Sequence, residues 1–186
     1  VNDVNTDSWN SLLADDNPFV RHEFLAALED TGCASAATGW RPMHIVSETP
    51  EGQLIGALPL YLKSNSYGEF VFDFSWANAY QQAGLRYYPK LVSAVPFTPA
   101  TGPRLLTGSN SSLEMKVAES LLDAARELTN RHRASSLHIL FPDLQQAQAL
   151  GSSNLSLRKD CQFHWHNRQY SNFDDFLNQF TAEKRK

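Results

Sequence analysis

The chain has 186 residues, enough for one ordinary domain with a real core. It is 42% apolar and 11% aromatic, which excludes a disordered chain. The net charge is −4 and the 16 basic residues are scattered, which excludes the basic stripe of a general nucleic-acid binder.

No apolar run approaches the length of a membrane span. No signal peptide opens the chain. Cys33 and Cys161 make no disulfide framework and read as buried thiols in a reducing, cytoplasmic compartment. The chain opens at Val1 and stops in the basic run EKRK, so it reads as a fragment of a longer protein. Three basic residues at a chain end read as a solvated tail.

Residues 1–16 are polar and read as mobile, apart from a turn that docks Trp9, Leu12 and Leu13. Asn17-Pro18 then starts a helix, with Asn as cap and Pro at the first helical position. Val20, Phe24, Leu25 and Leu28 line its apolar side, and Gly32 ends it. A strand over 43–48 and a turn at Pro50-Glu51-Gly52 follow. A second strand spans 54–63, with Leu54, Leu58, Leu60 and Leu62 on one side. Pro59 demotes it to an edge or a bulge. Residues 77–84 read as a short helix and 90–95 as a short strand. The loop PFTPATGP (96–103) carries three prolines and suits a pocket wall.

The clearest helix starts at Ser111 or Ser112, where Ser111 and Glu114 have capping-box spacing. Leu113, Val117, Leu121, Leu122, Ala125 and Leu128 form its apolar face. A strand over 136–141, a short helix over 143–150, extended structure over 155–168 and a helix over 173–180 complete the chain. This order predicts an α/β (α+β) fold, with helices flanking a mixed sheet. The expected organisation is a mobile segment, 1–16, and a single domain, 17–186.

Residues 67–90 concentrate the chemistry. From 69 to 76 the pattern alternates and reads as a strand. Phe70, Phe72, Phe74 and Trp76 face one side, and Glu69, Val71, Asp73 and Ser75 the other. The three phenylalanines are expected in the core. On one strand face, Glu69 and Asp73 stand about 13 Å apart, too far for paired carboxylate catalysis. One of them could act alone as a base, or both sit on a solvated or salt-bridged strand face. Tyr80, Tyr87, Tyr88 and Lys90 add hydroxyls and an amine. A tyrosine can serve as a general acid, and is also an ordinary core or interface residue. His164 and His166 share a strand face while Cys161 falls opposite. That leaves too few ligands for zinc, so no metal site is expected. His164 could act as a base near neutral pH. There is no phosphate-cradling glycine loop, nucleophile elbow or Cys-x-x-Cys pair.

Several stretches carry a family resemblance. They are NPFVRHEFLAALE (17–29), GALPLYLKSNSYGEFVFDFSWANAY (56–80), YYPKLVSAVPFTPATGPRLL (87–106), HILFPD (138–143), QFHWHN (162–167) and FDDFLNQFTAEKRK (173–186). In order over nearly the whole chain, these resemble the FemAB-like predicted N-acyltransferases, described as peptidoglycan biosynthesis or recognition proteins. The resemblance implies a GNAT-like domain, one of two in tandem. Family members are roughly twice this length and continue into a second GNAT-like half. That missing half is then the expected partner. An isolated half is expected to be inactive, and its uncovered face would favour dimers.

The resemblance further implies transfer of an acyl or aminoacyl group to a small-molecule or peptide amine. The donor would be acyl-CoA or aminoacyl-tRNA, with no covalently bound cofactor. Glu69, Asp73 and His164 are the candidate bases, and Tyr80 and Tyr88 the candidate acids. Tyr61, Trp76 and Lys90 are the candidate substrate-binding residues. The alternative is a non-catalytic recognition or structural half-domain that works with the missing half.

Overall fold

The computed structural model describes residues 1–108, 111–161 and 163–185, without the side chains of 111–113. The capping-box side chain of Ser111, Leu113 of the long helix, Gln162 of the QFHWHN stretch and Lys186 lie outside the described residues. The chain divides into two compact units, Val1–Leu155 and Ser156–Lys186.

The first unit opens with helix α1 (Thr6–Asn10), capped by Asn5, whose side chain accepts from the Ser8 amide. Trp9 and Leu12 are buried, Leu13 packs against the same cluster, and the Trp9 indole donates to the Val20 carbonyl at 2.9 Å. Asn17 caps as expected, but the helix it starts is a 3-10 turn, Pro18–Val20. Arg21 is extended (ψ 147°), so α2 (His22–Asp30) begins afresh.

The strand expected over 54–63 divides at Pro59, which has no amide to continue a ladder. Its first half, β3 (Leu54–Leu58), pairs antiparallel with β2 (Ile45–Glu48). Its second half, β4 (Tyr61–Lys63), joins a four-stranded sheet of order β1-β4-β5-β6. The other members are β1 (Trp40–Pro42), β5 (Lys90–Ser93) and β6 (Leu137–Ile139). The β1-β4 and β4-β5 pairs are antiparallel, and β5-β6 is parallel. The fold is α+β with a mixed sheet.

Helix α4 (Ser111–Arg131) places Val117, Leu121, Leu122 and Ala125 against Leu58, Leu60 and Leu91. Each such leucine stabilises the fold by about 1.5–3 kcal/mol through burial. Gly56 permits this approach, since a Cβ there would lie 2.3 Å from Val117 Cγ1. Helix α5 (Leu144–Ser152) is capped by Asp143, which accepts from the Gln146 amide. The proline loop is held by Arg104, which is fully buried and donates to the carbonyls of Ala100, Gly102, Pro103 and Leu140.

The register pairs Tyr61 with Val92 and Lys63 with Lys90. Alternation therefore puts all four on the sheet face away from the leucines. That face also carries Trp40, whose ring meets Tyr61 edge-on at 5.3 Å.

The strand expected over 69–76 does not form. Residues 70–73 are irregular, and helix α3 (Phe74–Gln82) starts inside the predicted strand. Phe70, Phe72 and Phe74 are exposed, not core. Cys33 and Cys161 are free and exposed, not buried. Among the described residues no helix is long and apolar enough to cross a membrane.

In the second unit, α6 (Phe173–Leu177) is shorter than the expected 173–180 and is capped by Asn172, which accepts from the Asp175 amide. Phe176 packs edge-on against Trp165, Tyr170 and Phe180. His164 and His166 stack at 6.4 Å.

Candidate functional site

Two lysines point from adjacent strands to one sheet face, and residues 64–73 cross over them as a strap into α3. Gly68 makes the bend with φ +78°, and a Cβ there would lie 2.5 Å from the Phe97 ring. Phe70 also takes a positive φ, 56°. The strap turns its polar groups inward. Ser66, Glu69 and Asp73 are buried, and Lys90 beneath them is fully buried.

Lys90 Nζ donates to Ser66 Oγ at 3.0 Å, Glu69 Oε2 at 2.8 Å and Asp73 Oδ2 at 2.5 Å. An ammonium has three hydrogens, and each has an acceptor. The Tyr87 hydroxyl donates to Asp73 Oδ2 at 2.6 Å. Ser66 Oγ also meets the half-buried Tyr88 hydroxyl at 2.7 Å. The second lysine, Lys63, lies 3.6 Å over the Trp40 ring and donates to the Tyr67 carbonyl at 3.1 Å. The Trp40 indole donates to the same carbonyl at 3.0 Å.

Burial decides most of the electrostatics. It raises the Glu69 carboxyl above the ordinary glutamate value, against the pull of Lys90. Burial also pushes Asp73 upward, but its hydrogen bonds from Lys90 and Tyr87 outweigh this and hold it below the usual value. Burial lowers Lys63 to about 7, despite the nearby Glu69 and Asp73 charges. Burial and then Asp73 raise the Tyr87 hydroxyl. Glu69 Oε1 and Asp73 Oδ1 have no hydrogen-bond partner among the described residues.

The expected residues separate into three groups. Glu69, Asp73 and Lys90 meet in one cluster. The two carboxylates share one ammonium, so the 13 Å separation is overturned, because the strap curls where a strand would run straight, and of the solvated or salt-bridged alternatives the salt-bridged one is found, buried rather than on a strand face. Tyr88 joins the cluster through Ser66, and Tyr80 packs edge-on against Tyr87 at 5.1 Å. Trp76 stands exposed on α3, whereas Tyr61 is fully buried between Trp40 and His44. His164 belongs to the second unit.

Sequence reasoning missed Ser66, Lys63, the partnership of Tyr87 with Asp73, and Arg104. One signal was available for Lys63. With the leucines of 54–63 on one side, Tyr61 and Lys63 fall together on the other. A lysine on a covered sheet face needs a hydrogen-bonding partner there.

The fold and site define an α+β domain built around a sealed carboxylate–ammonium cluster with one half-open hydroxyl end. The chain belongs to the FemAB-like family, described as peptidoglycan biosynthesis/recognition, whose model matches residues 1–186. That membership relates its function to peptidoglycan. No curated protein and no solved structure matches the chain.

Proposed function

We propose that this chain serves cytoplasmic N-acyl transfer in peptidoglycan-related metabolism. It moves an acyl or aminoacyl group to an amine, acting as one of two GNAT-like halves. The donor is an acyl-CoA or an aminoacyl-tRNA. The acceptor nitrogen attacks the acyl carbonyl, a C–N bond forms, and the C–S or C–O bond to the carrier breaks. The amine loses one proton and the leaving group gains one.

The supporting observation is the hydrogen-bonded path from Tyr88 through Ser66 to Lys90 and its two carboxylates. Lys90 donates to Ser66, so Ser66 can direct its own hydrogen to the Tyr88 oxygen. The phenolic hydrogen is then left for the oxyanion or the leaving atom. Tyr88 is the residue that meets substrate, while Ser66 and Lys90 position it. Glu69 and Asp73 are 2% exposed. They tune Lys90 and do not take the amine proton directly in this arrangement.

The test is transfer and binding with a panel of acyl-CoA and aminoacyl-tRNA donors on the full-length protein. Transfer from at least one donor, reduced in Tyr88→Phe, is the expected outcome. Neither binding nor transfer with any donor would remove the reading. A second reading, recognition without turnover, is favoured by the sealing of both carboxylates beneath an aromatic exterior. It predicts ligand binding by the full-length protein with no product.

A further inference from the structure

The proposed transfer needs an acceptor for the amine proton, and the carboxylates of the cluster are sealed beneath the strap. The strand next to Lys90 carries an imidazole. Leu137 and Ile139 of β6 pack with the leucine core, so Ser136, His138 and Leu140 point to the opposite face. Leu140 packs there with Trp40, Tyr61 and Val92. The parallel register sets His138 beside Val92, two positions along β5 from Lys90. His138 therefore shares the sheet face of the Lys90 cluster. It is half-buried, on the strand that ends the sheet among the described residues.

A chain of hydroxyls holds this ring and decides where its proton sits. Ser135 Oγ donates to the Tyr87 carbonyl. A carbonyl only accepts, and a hydroxyl has one hydrogen to give. Ser135 Oγ lies 3.2 Å from Ser136 Oγ, so Ser136 is the donor of that pair. Ser136 Oγ lies 2.7 Å from His138 Nε2. The Ser136 hydrogen is already committed, so Nε2 donates. The neutral ring thus carries its hydrogen on Nε2 and its lone pair on Nδ1. The Nε2–H bond persists when Nδ1 gains a proton, so the chain supports both states. It ends on the peptide that joins Tyr87 to Tyr88, and the Ser135 amide donates to the Pro89 carbonyl at 2.8 Å. Imidazole and phenol thereby hang on one hydrogen-bonded frame. The bond to Ser136 leans the ring back along β6, towards the end that meets the Tyr88 segment.

We infer that His138 is the catalytic base that takes the acceptor amine's proton. This rests on the transfer proposed above and supplies its proton acceptor. The nitrogen lone pair forms the C–N bond, and the nitrogen's proton passes to Nδ1. The C–S or C–O bond breaks with both electrons on the carrier atom, which takes the Tyr88 hydrogen. The imidazolium proton returns through solvent to the Tyr88 oxygen, so both groups end as they began. Ser135 and Ser136 are positioning residues, because they touch the ring and not the substrate.

The test has two arms, both on the full-length protein. Two-bond nitrogen–proton correlations of the histidine rings report the tautomer without turnover. The Nε2–H form is expected for neutral His138, and Ser136→Ala, which cuts the chain, loses that preference. The second arm is transfer from whichever donor supports it. His138→Gln keeps a hydrogen-bond donor but no base, and lowers kcat about a hundredfold or more with donor KM little changed. Added imidazole restores part of the rate to His138→Ala and none to Tyr88→Phe. His132→Gln, just past the end of α4, transfers at the wild-type rate. Unaltered thermal melting checks the fold of each variant. An Nδ1–H tautomer in the wild type overturns the inference, with or without transfer. So does His138→Gln at the wild-type rate, or a loss that imidazole leaves untouched. Those results leave the proposed function standing wherever the wild type transfers. No transfer from any donor removes both.

Discussion

Lys90→Met removes the one ammonium that two buried carboxylates share while keeping a chain of similar length. Glu69, Asp73 and Ser66 all lose the ammonium at once, with the lysine side chain at 0% exposure and contacts of 2.5–3.0 Å, while Tyr87 still donates to Asp73 and Tyr88 still meets Ser66. Breaking a buried pair by deleting one partner costs about 3–5 kcal/mol, because the remaining charge stays buried. Against a total stability of about 5–15 kcal/mol this is a large loss. It corresponds to a fall in melting temperature of roughly 6–20 °C for a domain of this size.

The loss depends on pH in a defined direction. Without Lys90, burial is left to raise the Glu69 carboxyl further above its unfolded value. The folded state then holds more protons, and its stability falls as pH rises through that window. The deficit is therefore largest at neutral pH and shrinks on acidification. Urea denaturation of wild type and variant at about pH 7.5 and about pH 5 reads this directly. Adding Glu69→Gln and Asp73→Asn to Lys90→Met recovers part of the stability, because no buried charge is left unpaired. A deficit below about 1 kcal/mol, the value of an exposed pair, would refute the buried-cluster reasoning. A deficit equal at both pH values would refute it as well.

Three further outcomes follow from other parts of the molecule. Lys63, with its pKa lowered from 10.5 to about 7, is neutral when folded and charged when unfolded between those values. Stability therefore rises as pH climbs above about 7, and Lys63→Met flattens that rise in denaturation midpoints measured up to about pH 9, before tyrosines ionise. Gly68→Ala meets both a φ of +78° and the Phe97 ring at 2.5 Å. It destabilises by about 1–3 kcal/mol in thermal or urea melts, with hydrogen exchange accelerated first in the strap. Arg104→Lys cannot reproduce a planar fork reaching four carbonyls, and should cost about 2 kcal/mol or more in urea titration.

Much of the framework was readable in order. The Asn17 and Asn172 caps, the breaking proline at 59 and the apolar stripe of α4 follow from local chemistry. The centre of the chain was readable only in part. A period of two over 69–76 describes a strand, and equally a strap whose acids turn in and whose rings turn out. Burial is normally assigned to rings and exposure to acids, so inside and outside were exchanged. What reversed them was Lys90 with Lys63 beside it, two strands meeting across 27 positions of chain that no local pattern links. Ser66 was missed for the same reason. Its partners, Tyr88 and Lys90, lie 22 and 24 positions away. Tyr88 itself was named from sequence, but its connection to the acids was not.

The most direct test of the central claim compares Tyr88→Phe with wild-type full-length protein, using whichever donor supports transfer. The account predicts that loss of the phenolic hydrogen lowers kcat about a hundredfold or more while donor KM changes little. Tyr88→Phe transferring at the wild-type rate would contradict it.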